Sequence, residues 1–399
     1  MSVTAPQGFV AAGGTCGLKE SGAPDLAVVA TANGVAVPVA VVVTANRAKA
    51  APVLTTLAHL AATNGRAVAV VLNSGNANAA TGAAGLEASR STCVAAAEAL
   101  GCAIEEVLVC STGLIGIPLK VERILSQLPD LVSRRDAAGG GDAAQAILTT
   151  DTRAKESTYK GSTWTVGAMA KGAAMLSPRL EVAPQLEVAP HATMLAVLTT
   201  DAEVDHVTLR AVLQAAVENS FNALDVDGAT STNDTVILMA SGHAGPPSSM
   251  EEFASGVAQV CADLAWQMAN DAEGANKVVS VRVTGAATDQ DAKLAARAIA
   301  RSQLVQCSFH GADPYWGRVV SEAGASGAAF DPGKVSVAYG GTKVCSAGIA
   351  IAYDEPAVAD HMAGRFLEVG IDLGVGSGAA TIITTDLSPD YIAENMRTS

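Results

Sequence analysis

Residues 179–202 read Arg179-Leu-Glu-Val-Ala-Pro184-Gln-Leu-Glu-Val-Ala-Pro190-His-Ala-Thr193-Met-Leu-Ala-Val-Leu-Thr-Thr200-Asp-Ala202. The motif Leu-Glu-Val-Ala-Pro occurs here twice. Proline has no N–H to give a sheet and obstructs a helix interior, so Pro184 and Pro190 predict a surface excursion over the first half. From Thr193 to Thr199 the residues turn apolar and predict a strand. A threonine therefore stands where a proline-broken loop meets a strand.

Working outward, Asp25–Ala30, Val37–Val43, Ala67–Leu72, Glu106–Cys110 and Trp164–Ala168 read as strands. Glu87–Leu100 and Leu119–Leu128 carry apolar residues at helical spacing. The glycine-rich Asp136–Asp142 predicts a loop before a short helix, and Met169-Ala-Lys-Gly-Ala-Ala-Met175 predicts a turn or a close backbone approach. Downstream, helices are expected over Val207–Val217 and Phe253–Met268, with one continuous helix over Ala292–Val305. Strands are expected over Thr235–Ala240, Val278–Val283, Val335–Tyr339, Phe366–Leu373 and Ala379–Thr384. Strands interleaved with helices predict a layered α/β (α+β) enzyme, and no dinucleotide-binding glycine signature follows a strand.

Composition narrows the function classes. A chain of 399 residues, 49% hydrophobic and 16% charged, can bury a large small-residue core. Acidic residues outnumber Lys and Arg by 39 to 25, for a net charge of -14, which disfavours nucleic acid and acidic membranes as partners. The first residues lack a basic region followed by a long apolar run, and Val37–Val43 is too short to span a bilayer. The seven scattered cysteines predict free thiols in a reducing, cytoplasmic setting.

Several residues are able to carry chemistry. Thr193 in its strand is ordinarily structural, but cleavage of the preceding bond would give one residue both a hydroxyl nucleophile and an α-amine base. Thr112 and Gly113 lie where a strand enters a glycine turn. Their ordinary role is the turn itself; the alternative is a hydroxyl and an amide donating to the oxygen of a tetrahedral intermediate. Lys171 is either a surface lysine or the partner of a substrate carboxylate. Glu273 is either a cap or the partner of a substrate amine. Asp225–Thr235 lacks the ligand spacing of a calcium loop, and the histidines form no HExxH pair, so no metal is expected.

Taken together, these segments resemble the ornithine acetyltransferase family, whose members include bifunctional glutamate N-acetyltransferases. The matches include Leu72-Asn-Ser-Gly-Asn-Ala-Asn-Ala79, Cys110-Ser-Thr-Gly-Leu-Ile-Gly116, Leu148-Thr-Thr-Asp-Thr152 and Met169-Ala-Lys-Gly172. Ala192-Thr-Met-Leu195, Ser231-Thr-Asn-Asp-Thr235, Asp271-Ala-Glu-Gly274 and His310-Gly-Ala-Asp-Pro-Tyr-Trp-Gly-Arg318 carry the resemblance through the second half.

The resemblance implies a layered α/β/β/α sandwich that cleaves itself between Ala192 and Thr193. The products would be an α chain (1–192) and a β chain (193–399), assembling as an α2β2 heterotetramer. It also implies acetyl transfer from N2-acetyl-L-ornithine to L-glutamate through an acyl-enzyme on Thr193, with no cofactor. Acetyl-CoA is a further candidate acetyl donor. By the same resemblance Thr112 and Gly113 form the oxyanion hole. Thr149, Thr150, Lys171, Thr193, Glu273, Asn395 and Ser399 match substrate-contacting positions. The chain departs from the family in the segment between Lys171 and Thr193, which is longer by about the span Glu181–His191; a loop tolerates such length because closure entropy grows slowly. Ala174 and Ala229 replace smaller or more polar residues, Tyr315 replaces asparagine, and the tail after Asn395 is shorter. The different-class alternative is a maturation-blocked small-molecule-binding or interaction protein.

Overall fold

The computed structural model describes residues 2–181 and 194–396. Ala192, Thr193 and Ser399, and most of the expected excursion, lie outside the described residues. By contact the chain forms two compact units, residues 2–222 with 229–268 and residues 223–228 with 269–396.

The first unit holds the strands β1 (Phe9–Gly14), β2 (Leu26–Thr31), β3 (Val37–Thr44), β4 (Arg66–Ala67), β5 (Ala69–Asn73), β6 (Val107–Ser111), β7 (Lys155–Lys160), β8 (Thr165–Lys171), β9 (Leu180–Glu181), β10 (Leu195–Ala202) and β11 (Thr235–Gly245). They form a four-stranded sheet in the order β1-β2-β5-β6 and a seven-stranded sheet in the order β4-β3-β11-β10-β8-β7, with β9 added on β3. One apolar cluster collects Val29, Val70 and Leu72 from the smaller sheet with Val39, Met169, Val197 and Ile237 from the larger. Alternate residues of the smaller sheet, including Val28, Val71 and Val109, pack instead with Cys93, Ala97, Ile124 and Leu128 of the helices Gly82–Leu100 and Val121–Ser133. Period-two alternation thus divides each strand between two layers.

The second unit carries β12 (Val278–Ala286), β13 (Ser336–Tyr339), β14 (Thr342–Ser346), β15 (Ile349–Ala350), β16 (Phe366–Asp372) and β17 (Gly378–Thr385), in the order β15-β14-β13-β16-β12-β17. The helix Asp289–Arg301 packs Ala292, Ala295, Ala296 and Ile299 against this sheet, next to Val279, Val281 and Val283. The described residues are therefore mixed α/β with three sheets.

Two expectations are corrected. The sequence Met169–Lys171 belongs to β8, because antiparallel pairing places Lys171 opposite Leu195 and Met169 opposite Val197; the turn begins only at Gly172. The run expected as one helix is two, Asp289–Arg301 and Gln303–His310. Ser302 is extended there, ends the first helix, and caps the second by accepting from the Val305 amide. Five of the seven cysteines are buried, and all seven are free thiols. No described helix is long and apolar enough to cross a membrane.

Candidate active site

The sequence Asn73–Ala79 and the turn after β6 are built as one piece. Ser111 Oγ donates to Asn73 Oδ1 at 2.6 Å, and the Thr112 amide donates to the Asn73 carbonyl at 3.0 Å. The Ala77 amide donates to Leu114 O at 3.0 Å and the Gly116 amide to Ala79 O at 2.9 Å. Asn233, just before β11, clamps both strands of this loop through Nδ2, at 2.6 Å from Ala77 O and 2.8 Å from Ser111 O. Gly113 has φ +127, and a Cβ there would lie 2.4 Å from the Gly75 carbonyl carbon. No side chain fits at that position without moving the backbone.

Thr112 is fully buried, and its Oγ1 has no hydrogen-bond partner among the described residues. A buried hydroxyl left unsatisfied costs about 1–3 kcal/mol, so such an atom calls for an explanation. A hydroxyl donor and a backbone amide are thus adjacent, in a turn held by many bonds.

Lys171 ends β8 with its side chain only 3% exposed, and its Nζ lies 3.7 Å from Asp151 Oδ2. Asp151 is the hub of this corner. Its Oδ1 accepts from Lys155 Nζ and from the Gly172 amide, each at 2.7 Å, and its Oδ2 accepts from the Thr149 amide at 3.1 Å. Burial alone would raise the Asp151 carboxyl, but the Lys171 and Lys155 ammonium groups and the bonds from Lys155 and Gly172 override it and hold the group well below the carboxylate range. Thr149 is therefore tied to the same carboxylate as Lys171, whereas Thr150 is exposed.

Lys19 adds a further cation within electrostatic range of Lys171 and Asp151. Burial depresses its ammonium below the ordinary lysine range; the Asp25 carboxylate opposes that and the Lys171 charge adds to it. Its stem stands beside Gly75, the residue that abuts Gly113.

The strand after the junction is also anchored. Met194 is buried and its amide donates to Asp234 Oδ1 at 2.5 Å, while its carbonyl accepts from the Thr235 amide at 3.2 Å. The segment 225–235 begins on a buried aspartate with two arginine partners. Asp225 meets Arg297 Nη1 at 2.9 Å and Arg301 Nη2 at 2.8 Å.

In the second unit Glu273 Oε2 accepts from Asn395 Nδ2 at 2.9 Å, and that nitrogen also donates to Tyr391 O at 3.0 Å. Ser388 arranges this pairing. It caps the helix Pro389–Asn395 by accepting from the Tyr391 amide, and its Oγ donates to Gly274 O at 2.5 Å. Gly274 has φ +60 and a Cβ would fall 2.1 Å from the Tyr391 nitrogen, so only glycine lets the helix reach Glu273.

The structure thus joins Thr149 with Lys171 and Glu273 with Asn395. Asp151, Asp234, Asn233 and Lys19 were not among the residues expected from sequence. Asp151 had a readable signal, an acid four residues before Lys155 in a polar run; Lys19 had none.

The ArgJ family model matches residues 10–398. The arginine biosynthesis bifunctional protein ArgJ of Thermobifida fusca is 46% identical over 395 residues, covering 99% of each chain. The protein of the same name from Streptomyces coelicolor has the same identity and coverage. A crystallised chain of ornithine acetyltransferase from Mycobacterium tuberculosis, in complex with ornithine, is 46% identical, covering 45% of this chain and 96% of its own, with a TM-score of 0.43. The family model and the two full-length relatives define an acyltransferase of arginine biosynthesis. The chain belongs to the ArgJ family, the bifunctional ornithine acetyltransferases.

Proposed function

We propose that this enzyme transfers the acetyl group of N2-acetyl-L-ornithine to L-glutamate through an ester on Thr193, in a chain cut between Ala192 and Thr193. The observation that carries the site assignment is the Thr112 hydroxyl, buried without a partner among the described residues and beside the fixed Gly113 amide. Membership of the ArgJ family supplies the reaction class.

Thr193 Oγ attacks the acetyl carbonyl while the Thr193 α-amine takes the hydroxyl proton. Negative charge gathers on the carbonyl oxygen, where Thr112 Oγ1–H and the Gly113 N–H donate to it. The tetrahedral intermediate breaks its C–N bond, ornithine leaves with the proton, and acetyl remains as an ester. The neutral α-amine of glutamate then attacks the ester through a second intermediate of the same kind. N-acetyl-L-glutamate leaves and the Thr193 hydroxyl is regenerated, so no activated cofactor is consumed. Lys171, set by Asp151, answers the α-carboxylate that both substrates share; Thr149, Thr150, Glu273, Asn395 and Ser399 complete substrate binding. Acetyl-CoA serves as a second donor to the same Thr193.

Cleavage into segments 1–192 and 193–399 is compatible with one folded unit, because β8 from the first segment and β10 and β11 from the second share a sheet. An α/β/β/α sandwich, an α2β2 assembly and a cytoplasmic location complete the reading. Denaturing intact-mass analysis tests it first. Two masses matching residues 1–192 and 193–399 are expected from wild type and a single full-length mass from Thr193→Ala, which also loses acetyl transfer. A wild-type chain that stays whole and transfers acetyl normally refutes the Thr193 mechanism; one that stays whole and inactive restores the binding-protein alternative.

A further inference from the structure

Lys19 stands in the loop between β1 and β2, and that loop is fixed from within. Asp25 is wholly buried, and its carboxylate accepts from two amides of the loop: Cys16 on Oδ1 at 2.5 Å and Lys19 on Oδ2 at 2.9 Å. Lys19 Nζ donates to the Pro24 carbonyl at 2.6 Å, using one of the three donors of an ammonium. A lysine ordinarily turns that group to water. Here the side chain is half-buried, and burial and the Lys171 charge both work against its ammonium.

The same loop is tied to the two parts of the site that the first unit supplies. The Asp25 carbonyl accepts from the Ser74 amide at 3.0 Å, and Ser74 Oγ donates to the Ala146 carbonyl at 2.7 Å. Ala146 ends the helix Gly140–Ala146, three residues before Thr149. A Cβ on Gly75 would stand 3.2 Å from Lys19 Cγ, and Gly75 in turn abuts Gly113. The charges that act on the Lys19 ammonium include those of Asp25, Lys171 and Asp151. Lys19 is thus held at once beside the turn of Gly113 and within the field of Lys171.

We propose that Lys19 is a specificity-determining residue of the acetyl-transfer site, a second cation beside Lys171 that favours the more anionic substrate, L-glutamate. The identity of the ligands rests on the acetyl-transfer reading. At neutral pH glutamate carries one net negative charge. N2-acetyl-L-ornithine is neutral overall, its side-chain ammonium balancing its carboxylate, and L-ornithine, the product that must leave, carries one net positive charge. Whatever else faces this corner, replacing Lys19 by a neutral residue subtracts one positive charge, which fixes the sign of each effect. Glutamate loses affinity, and ornithine keeps it or gains. The action is through the field and needs no contact, so added salt shortens its reach.

The test is calorimetric titration of the purified full-length protein with L-glutamate and, separately, L-ornithine, at low and at high salt. In Lys19→Gln, glutamate binding should weaken about three- to fivefold while ornithine binding stays level or tightens. Lys19→Arg keeps the charge and should stay within about twofold of wild type for both ligands. The gap between wild type and Lys19→Gln should narrow at high salt. Lys19→Met, which keeps an unbranched stem against Gly75, replaces Lys19→Gln if the latter folds poorly. Equal weakening of both ligands, or Lys19→Arg as impaired as Lys19→Gln, would assign Lys19 to the fold and overturn the proposal. Glutamate affinity unchanged in Lys19→Gln, or absent in wild type, overturns it too. Kinetics keep the two readings apart. A wild type that binds in the expected pattern but transfers no acetyl refutes the Thr193 reaction and leaves the role of Lys19 standing. One that transfers acetyl, with KM for glutamate and for N2-acetyl-L-ornithine raised alike by Lys19→Gln, refutes the role of Lys19 alone.

Discussion

The charged corner around Asp151, in the first unit, and the one around Glu273, in the second, are built on opposite physical plans. Around Asp151, two ammonium groups, a backbone amide and a threonine amide converge on one carboxylate, with the acid and Lys155 wholly buried. Around Glu273, one amide side chain reaches one carboxylate at the exposed end of a short helix. Burial makes the first corner rigid, because every charge in it depends on another to remain out of water. Exposure leaves the second adjustable, since water can replace either partner at small cost. A site that must recognise the same α-carboxylate on two different amino acids has use for one fixed cation. The part of the ligand that differs between substrates is better met by a group free to shift.

The sharpest way to break this contrast is Asp151→Asn. The substitution preserves shape but removes the buried carboxylate that Lys155 and Lys171 share, so a stability loss of about 3–5 kcal/mol is expected in denaturant unfolding. Lys171 would also lose its orienting partner, and acetyl transfer should fall with it. A loss below about 1 kcal/mol would mean that this corner behaves as a solvated surface pair, and the contrast would disappear.

Acid titration sharpens the same point with a smaller effect. The folded-state pKa of Asp151 is depressed by its lysines, so its contribution to stability is complete above the unfolded carboxylate value of about 4. Below that pH the unfolded chain takes up the proton while the folded chain does not. Stability therefore falls as pH drops towards the folded pKa, by up to about 1.4 kcal/mol for each unit between the two values. Asp151→Asn should flatten that part of the wild-type curve below pH 4. A wild-type-minus-variant difference that changes chiefly near neutrality would assign the linkage to another group.

How far the chain could be read from its sequence follows the same division between local and distant causes. Val37–Val43, Val207–Val217 and Phe253–Met268 carried their own periodicity and fall within observed elements. Met169–Lys171 read as a turn because its Ala-Lys-Gly composition is weak strand sequence; pairing with Leu195–Val197, distant in the chain, makes it one. Ser302 is a helix stop and a helix start at once, which a continuous apolar pattern conceals. The candidates Thr112, Gly113, Lys171 and Glu273 stand in motifs, and so does Asp234 within Ser231-Thr-Asn-Asp-Thr235, whereas Lys19 stands in none and its surroundings come from segments far along the chain.

The smallest effect on stability is expected at the exposed corner. Asn395→Ala removes the bonds from Nδ2 to Glu273 Oε2 and to Tyr391 O, but both residues stand where water can replace the lost donor. Its cost in stability should stay within about 1 kcal/mol. Its kinetic effect should be selective. If the pair only orients Glu273 towards the ornithine side, KM for N2-acetyl-L-ornithine rises up to about fivefold with kcat held, the pattern of binding lost equally from ground and transition states. KM for glutamate should move less, because glutamate lacks the side-chain amine. A fall in kcat of about a hundredfold would instead place this pair among the groups that stabilise the transition state, and the exposed corner would then need a geometry as fixed as that of the buried one.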